Sequence, residues 1–491
     1  MQLRQKQGFE LPWLFQRGAA EFEPREQKTL GVTMGMAVVN PVNGETLKEF
    51  DLHTPEEVER RIQLASDAHK VLKKMTYAER AKLMHAAADL MEADIEETAP
   101  MLTREMGKPI AQSRGEVLKC AKNMRFYADN AEKMLAPEML DDPSLVNASE
   151  AGAVWQPLGV VLAVMPWNYP LWQVIRFAAP ALMAGNSGVL KHASNVPESA
   201  MYLDEIFTRA GFPEGSFTTL MIGSSSVEGV LNDWRVRAVT LTGSEPAGRA
   251  VAGQAGKVLK PAVMELGGSD PFIVTPNADL DKSVEVAVTA RINNNGQSCI
   301  AGKRFLIFEE IYDEWVEKFT AKMAALKMGD PMEEDVQIGP LATKGGQRDI
   351  EELVEDAKAK GARILTGGET PEGPGFFYPA TVIDGITSDM RLMMEEAFGP
   401  VASVYKVTSL EHAIEVANQT TFGLSSAAWT NDKAEQEFFI ENLDAGAVVI
   451  NGMTVSYPEL PFGGIKDSGF GRELSDAGIK EFCNLKTVWK A

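Results

Sequence analysis

The apolar run Leu158-Gly159-Val160-Val161-Leu162-Ala163-Val164-Met165 is the strongest indication of the fold class of this chain. Strands that are buried on both faces of a parallel sheet have continuous apolar sequences of this kind. A membrane span would need about 20 apolar residues, roughly twice the length of this run. We therefore interpret residues 158–165 as a central strand of a parallel sheet.

Segments with strand and helix patterns alternate after this run. A helical pattern continues to Met183, and strands are predicted at residues 187–191, 217–222 and 236–242, with a helix at residues 197–210. A second alternating block has strands at residues 272–274, 304–308 and 447–450 and helices at residues 284–290 and 311–328. This alternation indicates an α/β fold, with a Rossmann-like parallel sheet and a second α/β unit.

The composition excludes several classes of protein. The formal net charge is −21, which argues against a nucleic-acid partner, because such proteins cluster lysine and arginine. The chain has only three cysteines, which fits a reducing compartment, and residues 1–33 contain no apolar core of the signal-peptide type. The five histidines are scattered, so we expect no metal site. We expect a cytoplasmic protein without membrane association.

The loop Asn294-Asn295-Gly296-Gln297-Ser298-Cys299 contains the most informative cysteine. It ends 34 residues (299 − 265) after Glu265, which lies in the turn Met264-Glu265-Leu266-Gly267-Gly268. Cys120, by contrast, has Met124 one helical turn further on, and we interpret it as a core thiol. A thiol in a polar loop and a carboxylate in a separate turn suggest a nucleophile and a base. The pair indicates covalent catalysis on a carbonyl, followed by activation of water.

Three weaker signals lie at the ends of predicted strands. The turn Thr242-Gly243-Ser244 opens a helix whose N–H groups could hold a phosphate, but an ordinary strand–helix turn has the same pattern. In Pro166-Trp167-Asn168-Tyr169-Pro170 the prolines restrict the backbone, so the Asn168 amide either donates to a developing oxyanion or bonds its own backbone. Lys191 ends a strand at the edge where parallel sheets bind ligands, although a snorkelling lysine would also fit there.

Together these motifs resemble the aldehyde dehydrogenase superfamily. The resemblance extends from about Ala37 to the C-terminus. The motifs occur in the order typical of that family: Pro166-Trp167-Asn168-Tyr169-Pro170, Thr242-Gly243-Ser244, Glu265-Leu266-Gly267-Gly268, Gly296-Gln297-Ser298-Cys299, Glu395-Glu396-Ala397-Phe398-Gly399-Pro400 and Pro461-Phe462-Gly463-Gly464. Any one motif could occur by chance, whereas the ordered set favours a member of the family.

The resemblance implies a catalytic role for three residues. Cys299 would attack the aldehyde carbon, and the Asn168 side chain and the Cys299 backbone N–H would hold the oxyanion. Hydride transfer to NAD or NADP would leave a thioester, and Glu265 would deprotonate the water that hydrolyses it. An ordinary thiol with a pKa of ~8.5 is mostly protonated at neutral pH, so we expect the Cys299 loop to favour the thiolate, with the cationic nicotinamide ring as a candidate contributor.

The resemblance also implies which residues bind the cofactor. They are Trp167, Lys191, Ser194, Gly243, Ser244, Leu266, Glu396 and Phe398. Relatives that strongly prefer NAD often have a glutamate at the position of Ser194, where a carboxylate would repel the 2′-phosphate of NADP. A serine can donate to that phosphate, and Lys191 would be its counter-charge. We therefore predict that NADP is accepted and that NAD is not excluded.

Two segments resemble the bacterial branch of the family that oxidises succinate semialdehyde. They are Leu190-Lys191-His192-Ala193-Ser194-Asn195-Val196-Pro197 and Cys299-Ile300-Ala301-Gly302-Lys303-Arg304. In that branch an arginine at the position of Arg176 is proposed to bind the substrate carboxylate, although an ion pair on the helix face is the alternative. Ser456 is a second candidate. Phe177 stands where many relatives have a lysine, and Asn293 where some have a second arginine, so the chain departs from the branch at these positions.

The predicted reaction is the oxidation of an aldehyde to a carboxylic acid, with succinate semialdehyde as the first choice of substrate. The alternative substrates are glutarate semialdehyde, glycolaldehyde and other short aldehydes. A dehydrogenase that acylates coenzyme A is the alternative enzyme, and a binding scaffold is the non-enzyme alternative. Glu265 argues against the former, because transfer to coenzyme A needs no water-activating base. The presence of both Cys299 and Glu265 argues against the latter.

The resemblance also suggests a division of the chain. We predict a poorly ordered N-terminal extension at residues 1–35 and a small β element for oligomerisation. The remaining divisions are a cofactor-binding domain at residues 36–138 and 157–264, a catalytic domain at residues 265–462, and oligomerisation segments at residues 139–156 and 480–491. Because unpaired strand edges are a liability and such segments pair between subunits in the family, we predict a homodimer or homotetramer.

Overall fold

The computed structural model describes residues 35–491, so residues 1–34 of the predicted N-terminal extension lie outside the described part. The strands are β1 (Met36–Val39), β2 (Thr46–Phe50), β3 (Glu138–Met139), β4 (Glu150–Pro157), β5 (Val160–Val164), β6 (Ser187–Lys191), β7 (Phe217–Thr219), β8 (Val236–Thr242), β9 (Ala262–Glu265), β10 (Asp270–Val274), β11 (Gly302–Phe308), β12 (Arg363–Thr366), β13 (Thr381–Asp384), β14 (Val401–Val407), β15 (Ser426–Trp429), β16 (Val448–Ile450), β17 (Gly469–Phe470) and β18 (Cys483–Lys490). The α-helices are α1 (Pro55–Leu72), α2 (Tyr77–Ala93), α3 (Ile95–Met106), α4 (Ile110–Met134), α5 (Trp172–Ala184), α6 (Pro197–Arg209), α7 (Val227–Asn232), α8 (Glu245–Lys257), α9 (Leu280–Ile292), α10 (Tyr312–Ala324), α11 (Lys344–Ala359), α12 (Arg391–Met394), α13 (Leu410–Asn418), α14 (Lys433–Asn442) and α15 (Ser475–Lys480).

The first sheet has six strands in the order β17-β9-β8-β5-β6-β7, and only the β17–β9 pair is antiparallel. The chain enters this sheet at β5, adds β6 and β7 on one side, and then adds β8 and β9 on the other. The strand order therefore reverses between β5 and β8. Open parallel sheets bind ligands in the crevice at the carboxyl ends of the strands that flank such a reversal.

Strand β5 is buried on both of its faces, as its apolar sequence predicts. Val161 and Ala163 belong to a core with residues of α2, α4 and α5, whereas Val160 and Leu162 belong to a second core with residues of α1, α7 and α8. Each fully buried valine or leucine stabilises the fold by about 1.5–3 kcal/mol. A strand with this burial has no polar face, which is why it has no alternating pattern.

The second sheet has seven strands in the order β12-β13-β14-β11-β10-β15-β16, and only the β12–β13 pair is antiparallel. Two mainly parallel sheets confirm the predicted α/β class. Two predicted boundaries are wrong. The helix predicted at residues 311–328 ends at Ala324, because Met328 pairs instead with Ile338 in an isolated bridge. The strand predicted at residues 217–222 ends at Thr219.

The segments predicted for oligomerisation form a third, antiparallel sheet within the chain, in the order β18-β4-β3. Strand β18 pairs with β4 along its whole length, from Cys483 opposite Pro157 to Lys490 opposite Glu150. The outer edges of this sheet are β18 and β3. Within residues 35–491, no helix combines the length and the apolar character that a membrane crossing requires.

Candidate active site

Two cavities meet at the Cys299 side chain. The first has a volume of about 250 Å³, and the predicted site residues that line it are Trp167, Asn168, Gly243, Ser244, Leu266, Glu396 and Phe398. It lies at the carboxyl ends of β5, β8 and β9, where the strand order predicts a ligand. The second has a volume of about 280 Å³ and is lined by Lys119, Arg176, Asn293, Ser456 and Phe462, among others. A nucleophile at this junction can reach ligands in both cavities.

The loop before Cys299 requires the residue types that its sequence contains. Asn294, Asn295 and Gly296 have φ angles of 58°, 57° and 75°, in the left-handed region. Asparagine and glycine adopt this conformation at the lowest cost. The Asn294 Nδ2 atom donates to the backbone oxygen of Asn168 (2.8 Å), and the Asn295 Nδ2 atom donates to that of Pro340 (2.9 Å). The first bond ties the turn before the thiol to the segment after β5, and the second ties it to the loop that contains Pro340.

The expectation that the Cys299 loop favours the thiolate, with the nicotinamide ring as a candidate contributor, stays a prediction. Burial raises the pKa of the thiol to about 12, and the opposing charges of Arg176 and Lys303 only partly offset this effect. Lys303 donates to the backbone oxygen of Cys299 (2.8 Å) and forms an ion pair with Glu396 (2.9 Å), so its charge is already neutralised. Formation of the thiolate therefore requires a further positive charge beside the sulfur, and an oxidised nicotinamide ring carries one.

The donors predicted for the oxyanion are present at the first cavity. Asn168 is buried, and its amide uses one N–H to donate to the backbone oxygen of Gln297 (3.1 Å). The Cys299 backbone N–H makes no hydrogen bond with any group in residues 35–491. The turn that carries Asn168 is held by His192, which bonds the Pro170 backbone oxygen through Nε2 (2.9 Å); burial lowers the pKa of this histidine to about 4. One amide N–H and one backbone N–H are thus left for a ligand.

The structure does not bring Glu265 to either cavity. Its side chain, at the end of β9, is 2% exposed, and neither carboxylate oxygen has a hydrogen-bond partner within residues 35–491. Burial and the neighbouring Glu473 raise the pKa of Glu265 well above its usual value, and Arg176 and Arg472 oppose this rise. This arrangement therefore favours the protonated form of the Glu265 carboxyl. Its role as the base that activates water stays a prediction.

Arg176 already has a carboxylate partner in the protein. Its guanidinium forms an ion pair with Glu473, lies 4.7 Å from the ring centroid of Phe462, and donates to the Thr242 hydroxyl (3.3 Å). Both members of the ion pair are buried. This geometry favours the ion-pair alternative for Arg176, although the side chain also lines the second cavity. Its role as the substrate anchor stays a prediction.

Sequence reasoning missed Lys119 and Glu473. Lys119 lies on α4 next to Cys120, in a segment interpreted as core, but Gln112, Glu116 and Lys119 line the second cavity together. Their spacing of four and three residues places them on one helix face. This polar stripe was the available signal. Glu473 had no local signal, because it approaches Arg176 from a distant segment of the chain.

The first cavity fits the nicotinamide end of a dinucleotide. Trp167 and Phe398 pack edge to face, with their ring centroids 5.7 Å apart. A Cβ atom at Gly267 would lie 2.6 Å from carboxylate oxygens of both Glu245 and Glu396, so a larger residue there would displace these carboxylates. A few polar groups among apolar and backbone walls are typical of cofactor sites.

The residues predicted for the adenosine side lie outside this cavity. Lys191 ends β6, is partly buried, and has no carboxylate within 4.0 Å among the described residues; burial lowers the pKa of its amine. Ser194 is exposed three residues further on. No group of three or more His, Cys, Asp or Glu side chains in the described part of the chain is arranged to hold a metal ion.

A thiol at the junction of a dinucleotide cavity and a substrate cavity, beside free N–H donors, defines a dehydrogenase that works through a cysteine. Residues 29–488 match the model of the aldehyde dehydrogenase family. The chain belongs to this family, and it is an NAD(P)-dependent enzyme, as predicted.

Close relatives are known by name. Succinate-semialdehyde dehydrogenase (NADP(+)) 1 of Mycobacterium tuberculosis (strain ATCC 25618 / H37Rv) is 57% identical over 458 residues, which are 93% of this chain and 100% of the relative. The protein of the same name from Mycobacterium ulcerans (strain Agy99) is 58% identical over 457 residues, with the same coverage. The crystal structure of succinic semialdehyde dehydrogenase from Streptococcus pyogenes in complex with NADP+ has a TM-score of 0.90 and 37% identity, and covers 92% of this chain and 99% of that chain.

Proposed function

We propose that this protein oxidises succinate semialdehyde to succinate and that NADP is its preferred cofactor. The observation that carries this proposal is the position of Cys299 between a cavity suited to nicotinamide and a cavity lined by the cations Lys119 and Arg176. A cation-lined cavity favours an aldehyde that carries a carboxylate. The names of relatives that are 57% and 58% identical support the same substrate.

The described residues supply most of the chemistry. The Cys299 sulfur attacks the aldehyde carbon, and the carbonyl oxygen takes up the negative charge beside the N–H groups of Asn168 and Cys299. When bound, the nicotinamide of NADP supplies the acceptor for the hydride of this carbon. A thioester then remains on Cys299. Glu265 takes a proton from the water that attacks the thioester, and succinate leaves as the sulfur is released.

The proposed substrate predicts a strong preference for a charged aldehyde. With saturating NADP, we expect kcat/KM for succinate semialdehyde to exceed that for butyraldehyde by about 100-fold, because a partly desolvated ion pair contributes a few kcal/mol. Butyraldehyde is the matched control, since it has the same four-carbon chain without the carboxylate. Initial rates of NADPH formation give both constants. Equal constants for the two aldehydes would refute the proposed substrate and leave the reaction class intact.

The cofactor preference depends on Lys191 and Ser194. In the Ser194→Glu variant, we expect kcat/KM for NADP to fall about 100-fold, because a carboxylate would be placed against the 2′-phosphate. The constant for NAD should change little, since NAD has a hydroxyl there. Titration with each cofactor at a fixed aldehyde concentration measures both. A variant that loses NADP and NAD activity in equal proportion, or a wild type that favours NAD a thousandfold, would contradict this assignment.

We further propose that the chain works as a homodimer or homotetramer in the cytoplasm. Exposed apolar side chains lie on β18, at Leu485 and Trp489, and on the turn between β3 and β4, at Leu145, and a second subunit would cover them. A reducing compartment keeps the Cys299 thiol free. The strand positions support a cofactor-binding domain ending near residue 264 and a catalytic domain starting at residue 265, although β17 returns to the first sheet beyond residue 462.

A further inference from the structure

One of the two cations that line the second cavity has no carboxylate partner among residues 35–491. Arg176 and Lys119 are the positively charged side chains that line it, and Arg176 pairs with Glu473. Lys119 has no carboxylate within 4.0 Å among residues 35–491. Asn293, on the same wall, is uncharged. Lys108, which lies close by, pairs with Glu116 and has no charge to offer.

Lys119 is held in place by neutral groups. Its Nζ atom donates to the Ser456 hydroxyl (2.8 Å) and lies 4.1 Å from the ring centroid of Trp172. The hydroxyl and the ring orient the ammonium group, but neither neutralises it. An ammonium group has three N–H donors, and one of them is used by Ser456. The remaining donors are available to a ligand in the cavity.

The surroundings of Lys119 make an anionic ligand favourable. Burial and the charge of Arg176 lower the pKa of Lys119 to about 8, against the opposing influence of Cys120, Glu116 and Cys299. The amine is therefore still mainly protonated at neutral pH, but it has lost much of its hydration. A carboxylate beside the amine would replace the interactions with water that burial removes. It would also form a charge-assisted hydrogen bond with the amine.

We propose that Lys119, together with the Ser456 hydroxyl, binds the carboxylate of the aldehyde substrate, and that Arg176 acts mainly as the partner of Glu473. This inference rests on the proposed function, since it assumes a substrate that carries a carboxylate. It assigns the charge recognition to α4, whereas the nucleophile comes from the loop before β11. The aldehyde carbon lies at Cys299 and the carboxylate lies at the α4 wall of the same cavity.

The test uses the Lys119→Gln variant of the full chain. Glutamine keeps an aliphatic stem over Trp172 and a donor for Ser456, but it removes the charge. We expect kcat/KM for succinate semialdehyde to fall about 10- to 100-fold, mainly through KM, as for the loss of a hydrogen bond to a charged group. The constant for butyraldehyde should stay within about twofold. Lys119→Arg should restore most of the activity towards succinate semialdehyde.

The matched control is Lys122→Gln, which removes an exposed lysine one turn further along α4 that pairs only with Glu459. We expect no change in either constant. If the Lys119→Gln chain does not fold, as judged by thermal unfolding, Lys119→Met provides a second neutral variant with the same expectation.

The outcomes separate this inference from the proposed function. A wild type without preference for succinate semialdehyde overturns the proposed substrate, and the inference with it. A wild-type preference that persists in the Lys119→Gln variant overturns the role of Lys119 alone. Equal losses for both aldehydes would mean that Lys119 only supports the structure. Arg176→Gln provides the complementary measurement: we expect it to impair both aldehydes equally, and a loss confined to succinate semialdehyde would transfer the anchor role to Arg176.

Discussion

Replacing Cys299 with alanine should lower kcat/KM for aldehyde oxidation by about 10⁴-fold or more, as is found when a catalytic nucleophile is removed. Cys299 and Gln173 line both cavities within residues 35–491, and of these two side chains the thiol is the nucleophile that can form a covalent bond with the aldehyde carbon. Alanine leaves both cavities intact. Binding of NADP, measured by fluorescence titration, should therefore be unchanged while NADPH formation stops.

Cys483→Ala is the control for this experiment. Cys483 starts β18, is partly buried, and its thiol only donates to the Ile479 backbone oxygen (3.4 Å). We expect full activity in this variant. The substitution of Cys120 is less suitable, because that thiol lies on α4 and is fully buried in the core, as predicted, and its removal would leave a cavity. More than a tenth of the wild-type activity in the Cys299→Ala variant would rule out a thioester route.

Replacing Glu265 with glutamine should lower the steady-state kcat by about 10²- to 10⁴-fold without abolishing the first turnover. The base acts only after hydride transfer, so one equivalent of NADPH per active site should still form rapidly. The thioester on Cys299 should then accumulate. Stopped-flow measurement of NADPH formation separates the burst from the slow phase, and mass spectrometry of the quenched protein detects the acylated Cys299.

The loss of the burst together with turnover would contradict this role, since Glu265 would then act before or during hydride transfer. A wild type that turns over only with coenzyme A would favour the acylating alternative. Glutamine is the suitable replacement, because it has nearly the same size as the buried Glu265 side chain and is uncharged, and burial at this position disfavours a charge. The variant should therefore fold normally.

The pH dependence of the same step follows from the position of Glu265. Because the pKa of Glu265 is raised, its basic, deprotonated form becomes populated only at a higher pH than for an ordinary carboxyl group. Hydrolysis of the thioester should accelerate with pH in the wild type, and this dependence should be lost in Glu265→Gln. The carboxyl also has to turn from its neighbours Glu473 and Arg472 towards Cys299. A Cβ atom at Gly463 would lie 2.8 Å from a Glu265 carboxylate oxygen, so glycine there leaves space around the carboxyl.

Local sequence predicted the structure reliably where the conformation of a segment depends mainly on its own residues. The apolar run at β5, the strand at β8 and the Asn-Asn-Gly turn before Cys299 each have patterns that only one conformation satisfies. Cys299, Asn168 and the residues predicted to bind the cofactor lie in short motifs next to strand ends, and their predicted roles came from the resemblance of these motifs to the family.

Side-chain partners across the chain were not predicted. Lys119 and Ser456 are 337 residues apart, yet they form one hydrogen bond. Arg176 and Glu473 come together only because α5 packs against the segment that carries Glu473. The sequence predicted that Arg176 binds the substrate carboxylate. Whether its positive charge is available for that depends on Glu473, a partner that no local pattern reveals.

Residue order and apolar patterning were enough to identify the α/β class and the family and to predict Cys299 as the nucleophile, because these properties depend on near neighbours in the chain. The packing of distant segments decided which cation of the second cavity has a carboxylate partner, in which direction the pKa of Glu265 is shifted, and how strongly burial opposes the Cys299 thiolate. Charge and pKa depend on every group within a few ångströms in space, and that neighbourhood exists only in the folded chain.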